Sequence, residues 1–299
     1  MKEKGQFFSF LFALVIVYLI FFSPFLNNFS LFSKLSESLA APLLIILGLI
    51  PSLVWLFYYL RKDCHPEPKS LIARTFFLGI LVAPLAIIAE LWFVKFFKSS
   101  FDFNVMDTVL FFIWAAFAEE YVKYLAVRFG VINNPNFDEP VDAMIYMVSA
   151  GLGFAAIENI LVIIQAYNTE TIGGIQAAFQ IWGLRFAGAT LLHAVSSALL
   201  GYFLALSWFY SRHSKKIMVI GFMLATFAHF VFNYVILTEV ILFPEYKDQI
   251  YPLFNSLGTF LAISLLVSLV LMISFLFRKI RARMAKQVNN ISSAQVLPN

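Results

Sequence analysis

Long apolar runs, almost free of charge, recur along the whole chain and restrict what it can fold into. A helix needs about 20 apolar residues to cross a bilayer, and about eight runs of that kind can be drawn. They are Phe7–Leu26, Leu39–Leu60, Leu71–Phe97, Val105–Phe129, Val141–Ala166, Phe179–Tyr210, Ile217–Phe243 and Tyr251–Phe277. Because 61% of the 299 residues are hydrophobic and 13% are charged, the pattern predicts an all-α, polytopic membrane helix bundle with about eight transmembrane helices.

The distribution of lysine and arginine predicts which side of the membrane each loop faces. Short cytoplasmic loops carry an excess of these residues. On one side the loops hold only Lys34, Lys95, Lys98 and Lys247, whereas most of the 21 basic residues lie on the other side. Both termini are therefore predicted to be cytoplasmic, in a multi-pass protein of the plasma membrane. Since the net charge of +4 sits mostly in loops, it reflects topology, and we expect no nucleic-acid partner.

A short set of polar residues lies inside the predicted helices. A charged side chain near the middle of a bilayer is costly, so it usually faces the protein interior or a wet cavity. The set comprises Glu119, Glu120 and Lys123 on the fourth predicted helix, Glu158 and Asn159 on the fifth, Arg185 and His193 on the sixth, and His229 and Asn233 on the seventh. At about 1.5 Å per residue, their depths from the cytoplasmic helix ends are roughly 15 to 26 Å. Four consecutive helices are thus expected to bring ionisable groups into one layer.

Carboxylates and imidazoles in one buried layer are the groups of an acid/base centre or a metal site. Neighbouring helix positions point about 100° apart, so Glu119 and Glu120 cannot both face one point. One is expected to act on the reacting centre, while the other orients a group or pairs with a nearby lysine. His193 and His229 are candidate metal ligands or hydrogen-bond donors. Asn233, one turn after His229, is a candidate donor to a ligand or a developing oxyanion.

Several polar and small residues also have structural interpretations. Arg185 is favoured at the outer interface, where its side chain reaches lipid headgroups, over a role in binding substrate. Asn159 taken alone is typical of hydrogen bonding between helices. The small residues around Gly151 and Gly153 indicate a close-packing helix face. The adjacent Glu119 and Glu120 have no comparable structural explanation.

Short motifs follow one another in a specific order between about Trp55 and Tyr234. They are Pro66-Glu67-Pro68, Glu119-Glu120-x-x-Lys123, Phe137-Asp138-Glu139-Pro140-x-Asp142, Gly151-Leu152-Gly153-Phe154-Ala155-Ala156-x-Glu158-Asn159, His193 and His229-x-x-x-Asn233. In order and spacing they resemble the PrsW family of intramembrane proteases, within the wider group of CAAX-processing and bacteriocin-immunity membrane proteases. One departure is Ala143, which stands where the family has glycine after the aspartate.

The resemblance implies hydrolysis of a peptide bond inside the membrane, in a membrane-anchored protein such as an anti-sigma factor-like regulator. The implied catalytic residues are Glu119, Glu120, His193 and Asn233, and the implied metal ligands are Glu158, His193 and His229. PrsW-like proteins are described as metalloproteases, which favours Zn²⁺, whereas related CAAX-type enzymes are described as activating water with glutamate and histidine alone. The residues fit both schemes.

The sequence pattern also predicts a division of the chain, and two rival functions stay open. Residues 1–287 are predicted to form a single transmembrane helical protease domain, followed by a polar, disordered tail over residues 288–299. A proton- or ion-coupled transporter would use similar buried acids and histidines, but no inverted repeat is evident. A non-catalytic membrane scaffold of the same superfamily is disfavoured by the complete set of acids and histidines.

Overall fold

The computed structural model describes residues 37–106, 108–168, 174–211, 214–242 and 257–295, and all regular secondary structure in these ranges is helical. The helices are α1 (Glu37–Leu60), α2 (Lys69–Phe101), α3 (Val109–Gly130), α4 (Pro140–Tyr167), α5 (Ile175–Ala187), α6 (Ala189–Ala205), α7 (Lys215–Leu242) and α8 (Leu257–Gln295), with a π-helical turn at Leu206–Tyr210. The predicted first span, Phe7–Leu26, lies outside the described residues.

Six segments of the described chain are long and apolar enough to cross a membrane. They are Ala40–Leu60, Lys69–Phe101, Pro140–Tyr167, Ile175–Tyr210, Lys215–Ile236 and Gly258–Lys286. These segments confirm the predicted polytopic helical membrane bundle. Helix α3 is not among them because Glu119, Glu120 and Lys123 fall in its middle, yet it packs against α2, α4 and α7. The total of eight spans and the cytoplasmic position of both termini stay predictions.

Helices α4 and α6 form the centre of the bundle. Every residue of α4 from Pro140 to Ala156 is buried, and so is most of α6. Close approach depends on glycine: a Cβ on Gly151 would collide with the side chain of Ser197, and one on Gly153 with the carbonyl oxygen of Phe76. The predicted small-residue packing face is therefore confirmed, and α4 is held tightly against α2 and α6.

The predicted sixth span, Phe179–Tyr210, is wrong as a single helix. Helix α5 ends at Ala187, and Gly188 has φ −96° and ψ −95°, outside the helical region, before α6 begins. A glycine in an apolar run imposes no Cβ constraint on the backbone, so the chain can change direction there. As a result His193 lies in the second turn of α6, close to the break.

Helix α2 shows how the outside of the bundle differs from its centre. Large apolar side chains point outward along it, among them Leu81, Leu91 and Trp92, each at least 60% exposed. In water such a surface would be an association site, whereas on a membrane-spanning helix it faces lipid hydrocarbon. The exterior is therefore as apolar as the core, and the few buried polar side chains are isolated from the lipid inside the bundle.

The last described helix, α8, crosses the predicted domain boundary. It extends from Leu257 to Gln295, so residue 287 lies inside the helix. Its apolar portion ends at Lys286, and the residues that follow are mostly polar. The division into residues 1–287 and a tail over 288–299 stays a prediction.

Candidate active site

Four helices bring the predicted polar residues into one buried cluster. Helix α3 contributes Glu119, Glu120 and Lys123, α4 contributes Glu158, α6 contributes His193 and α7 contributes His229. All of them except Glu158 are buried, and Glu120 and Lys123 have no exposed surface at all. The side chains meet because α3 and α7 pack against each other and against the α4–α6 centre. Their common location agrees with the depths expected from the helix ends.

Glu120 is the most heavily bonded carboxylate of the cluster. Its Oε1 accepts hydrogen bonds from Lys123 Nζ at 2.9 Å and from Ser196 Oγ at 2.8 Å. His229 Nδ1 lies 2.9 Å from the same oxygen, so the imidazole donates from Nδ1 when that nitrogen is protonated. With groups from three helices converging on it, Glu120 fixes the positions of Lys123 and His229 relative to α3.

Glu119 has a different environment from its neighbour. Its Oε2 is buried and accepts no hydrogen bond from the described residues. It lies 3.5 Å from Lys123 Nζ, 3.8 Å from His193 Nδ1 and 3.7 Å from His229 Nε2. These distances are longer than those of hydrogen bonds. The two distances to histidine nitrogens are close to roughly 3.3 Å, which separates two ligand atoms of a tetrahedral zinc ion when each bond is about 2.0 Å long.

The two histidines are oriented by carboxylates on their far sides. His193 Nε2 lies 2.6 Å from Glu158 Oε2, and His229 Nδ1 lies 2.9 Å from Glu120 Oε1. The rings meet edge to face with centroids 5.0 Å apart. Each imidazole thereby uses one nitrogen to contact a carboxylate, as metal-binding histidines do. The other nitrogen of His229 faces Glu119, whereas that of His193 lies 3.8 Å from Glu119 and 2.7 Å from Lys123 Nζ. One donor atom each from Glu119, His193 and His229 lie within 4.8 Å of one another.

Lys123 occupies the middle of the cluster. Its Nζ lies 2.7 Å from His193 Nδ1 and donates to Glu120. The ammonium also lies 4.6 Å from the centroid of the Phe154 ring, a cation–π distance. A fully buried lysine is tolerated only when it is paired, and here two acidic residues and an aromatic face surround it.

Glu158 belongs to a second part of the cluster, nearer its exposed edge. Its side chain is 34% exposed and its Oε2 lies 3.0 Å from Arg185 Nη2. Arg185 Nε donates to Asn159 Oδ1 at 2.7 Å, and Asn159 Nδ2 donates to Thr190 Oγ1 at 2.9 Å. The favoured interpretation of Arg185 as a lipid-headgroup contact is therefore wrong. Its guanidinium turns inward and contacts Glu158, a pairing that could not be predicted from the depths of the two residues along their helices.

The contacts of Asn233 and Ser196 differ from those that the sequence predicts. Asn233 is half-buried one turn after His229, and within the described chain no hydrogen bond joins it to the cluster. Ser196 was not recognised, although it bonds Glu120 directly. The signal available was its spacing: it follows His193 by three residues, which places both side chains on one face of α6.

The fold and the cluster define a class: a polytopic membrane protein with a buried acid–histidine centre that suits hydrolysis or metal binding. The sequence comparison agrees. A family model described as "PrsW family intramembrane metalloprotease" matches residues 67–276. The match covers well over half of the chain, and the chain belongs to this family. It is therefore an intramembrane protease, as the order of its motifs predicted.

Curated relatives carry the same description. Proteins named "Protease PrsW" are 31% identical over 191 residues in Oceanobacillus iheyensis, covering 63% of this chain and 80% of the relative, and 27% identical over 197 residues in Geobacillus kaustophilus, covering 66% and 80%. The Bacillus subtilis protein of that name is 24% identical over 191 residues, covering 63% and 80%. No solved structure matches the chain.

Proposed function

We propose that the chain hydrolyses a peptide bond of a membrane-anchored protein of the plasma membrane, at the cluster around Glu119. The observation that carries this proposal is the buried Glu119 Oε2, which accepts no hydrogen bond from the described residues and lies between two imidazole nitrogens. A water molecule held there would have a carboxylate to take its proton and imidazoles to orient it.

The two adjacent acids, Glu119 and Glu120, have different roles in this proposal. Glu119 is the acid that acts on water or binds a metal, because its Oε2 lies near nitrogens of both His193 and His229 and accepts no hydrogen bond from the described residues. Glu120 is a positioning residue, because its Oε1 is engaged by lysine, serine and histidine. This assignment follows from their different partners, since the residue types are the same.

The donor set fits a zinc ion held by Glu119, His193 and His229. When bound, Zn²⁺ polarises a carbonyl and lowers the pKa of a bound water. The predicted ligand Glu158 is better placed as the group that orients His193, since it contacts the far nitrogen of that ring. Lys123 is the competing cation: its Nζ lies 2.7 Å from His193 Nδ1, so a metal-free scheme, with Glu119 as base, is the second candidate.

The substrate backbone must be unwound at the scissile bond. In a membrane-spanning helix each carbonyl accepts a backbone hydrogen bond and the peptide bond is shielded by its own turn, so water and a catalytic group cannot both reach it. Glu158, with a 34% exposed side chain, marks the side of the cluster from which an extended segment can enter. Asn233, one turn after His229, is proposed to donate to the substrate carbonyl.

Zinc content and cleavage measured on the same samples test this proposal. The protein is purified in detergent, zinc is quantified by elemental mass spectrometry, and cleavage of a transmembrane peptide is followed with and without a chelator. We expect near-stoichiometric zinc in the wild type and in His65→Ala, a matched change of an exposed histidine, and loss of zinc and cleavage in His193→Ala and His229→Ala.

Other results would redirect the assignment. Cleavage that persists in the chelator and disappears in Glu119→Gln would replace the zinc scheme with the metal-free one. Absence of cleavage of membrane-anchored peptides, together with proton-driven ion flux in vesicles that Glu119→Gln abolishes, would support the transporter instead.

A further inference from the structure

A second group of carboxylates lies at the other end of α4. Asp63 and Glu67 belong to the connector between α1 and α2, and Asp142 lies in the first turn of α4. One carboxylate oxygen from each residue lies within 4.8 Å of the others. Sixteen residues separate Asp142 from Glu158, so along α4 the two clusters are about 24 Å apart. The connector cluster, meaning Asp63, Glu67 and Asp142, is therefore separate from the active site.

Asp142 presents a buried oxygen to this cluster. The residue has no exposed surface, and its Oδ2 accepts hydrogen bonds from the backbone N–H groups of Asp138 at 3.0 Å and Glu139 at 2.7 Å. These two bonds fix the carboxylate and leave Oδ1 as the oxygen available to the connector. That oxygen is buried and accepts no hydrogen bond from an N–H or hydroxyl group of the described chain; the group that contacts the Asp142 carboxyl on this side is the carboxyl of Glu67. A fixed, buried acceptor without a donor points to a bound species.

The connector supplies a second oxygen of the same kind. Asp63 Oδ1 accepts from the backbone N–H of His65 at 3.0 Å, whereas Asp63 Oδ2 is buried and has no donor among the described residues. Glu67 Oε2 accepts from Tyr146 Oη at 2.6 Å. Each carboxylate is thus oriented through one oxygen by a neutral donor.

Among the described residues, no lysine or arginine forms an ion pair with the carboxylates of Asp63, Glu67 and Asp142, and the nearby His65 pairs with Glu139 at 2.8 Å. Burial raises the pKa of Asp63 and that of Glu67, as expected for carboxylates gathered without a compensating cation. Either protons or a metal ion must neutralise the group.

We propose that Asp63, Glu67 and Asp142 bind a hard divalent cation of the Mg²⁺ and Ca²⁺ class, which fastens the α1–α2 connector to the start of α4. Three carboxylates offer only oxygen donors, which these ions prefer and which contrast with the imidazoles around Glu119. The site does not depend on the proposed catalytic assignment, because none of its residues contacts the active-site cluster in the described structure.

Cation binding to the full-length protein in detergent tests the site. After treatment with EDTA, the protein is titrated separately with Ca²⁺, Mg²⁺ and Mn²⁺ while its melting temperature and the heat of binding are recorded. We expect a saturable rise in melting temperature with at least one ion. Glu67→Gln and Asp63→Asn should each weaken binding tenfold or more. Glu139→Gln, which removes a neighbouring charge but no ligand, should change it less than threefold.

Two outcomes would overturn the proposal. The first is no saturable response to any of the three ions up to about 10 mM, well above the dissociation constants of weak protein calcium sites; shared protons would then neutralise the carboxylates. The second is a response that is equal in wild type, Glu67→Gln and Asp63→Asn, which would place the ion elsewhere. Luminescence of Tb³⁺ sensitised by Tyr146, whose hydroxyl contacts Glu67, provides an independent readout of the same location.

Discussion

The two ends of α4 carry acids that are neutralised in different ways. Around Glu158 and the α3 acids, the protein supplies its own cations, Arg185 and Lys123, at 2.9 to 3.5 Å from the carboxylates. Around Asp142, the donors are a tyrosine hydroxyl and backbone N–H groups. Buried carboxylates occur in both places, but among the described residues lysine and arginine side chains form ion pairs with the first group and not with the second.

This difference indicates what each cluster needs from outside. In the active-site cluster, Glu119 Oε2 and Glu120 Oε2 are both buried and accept no hydrogen bond from the described residues. The Glu119 oxygen stands out because nitrogens of two histidines lie 3.7 to 3.8 Å from it. In the connector cluster, all three carboxylates lack a lysine or arginine partner among the described residues. The first arrangement suits chemistry at one oxygen, and the second suits an ion held between three.

The largest expected effect separates the two adjacent acids of α3. Glu119→Gln should reduce cleavage by roughly 10²- to 10⁴-fold, the range for loss of general acid–base catalysis. It should change the melting temperature less than Glu120→Gln does, because Lys123 Nζ lies 3.5 Å from Glu119 but 2.9 Å from Glu120. Glu120→Gln should instead lower the melting temperature, because the amide cannot replace a carboxylate that faces Lys123, Ser196 and His229.

Peptide cleavage and thermal unfolding of the two variants provide the comparison. If Glu120→Gln unfolds at the wild-type temperature and is inactive while Glu119→Gln retains cleavage, the roles of the two acids are reversed. If both variants retain cleavage, the active site lies elsewhere.

Internal neutralisation of the active-site cluster predicts a large loss of stability when its cation is removed. Lys123→Met should destabilise the fold by about 3 to 5 kcal/mol, because it leaves buried carboxylates without their partner. Lys98→Met is the matched control: Lys98 pairs with Asp102 at 2.6 Å, but both side chains are mostly exposed, so the change should be within about 1 kcal/mol. Equal effects in denaturant titrations would show that Lys123 is not needed to balance the acids.

The fold class was predictable because lipid imposes a length and a composition on every spanning helix. The break at Gly188 was not, since a glycine within an apolar run is compatible with both a continuous and a broken helix. Helix α3 shows the opposite case: the apolar run Val105–Phe129 predicted it despite its charged centre, and its position against α2, α4 and α7 brings those charges to their partners.

The composition of the active-site cluster was predictable, whereas its pairing was not. Depth along a helix follows from counting residues, so the convergence of Glu119, His193 and His229 could be anticipated. The rotation of each helix about its axis, and the partner that each side chain contacts, depend on packing. For this reason the sequence favours the membrane interface for Arg185 and gives no prediction for Ser196. The distinction between Glu119 and Glu120 also required knowing which helix contacts each side chain.

A smaller effect is expected at the connector cluster. Tyr146→Phe removes the hydroxyl that donates to Glu67 at 2.6 Å and should destabilise the fold by about 1 kcal/mol, as for the loss of one hydrogen bond. Tyr121→Phe, on an exposed tyrosine of α3, should leave the free energy of unfolding unchanged. A Tyr146→Phe protein as stable as wild type would mean that Glu67 is held by other contacts.

The smallest effect concerns a histidine at the rim of the connector cluster. The Glu139 carboxylate raises the pKa of His65 above its usual value of about 6.5, and the imidazole is 72% exposed. Since the folded-state pKa is the higher one, any stabilisation from this pair is complete below the ordinary pKa and is lost as the pH rises through the raised value. In an NMR titration, Glu139→Gln should return the His65 pKa toward its ordinary value. An unchanged pKa would mean that Glu139 does not stabilise the protonated form of His65, and that the carboxylates beside this histidine do not set its pKa.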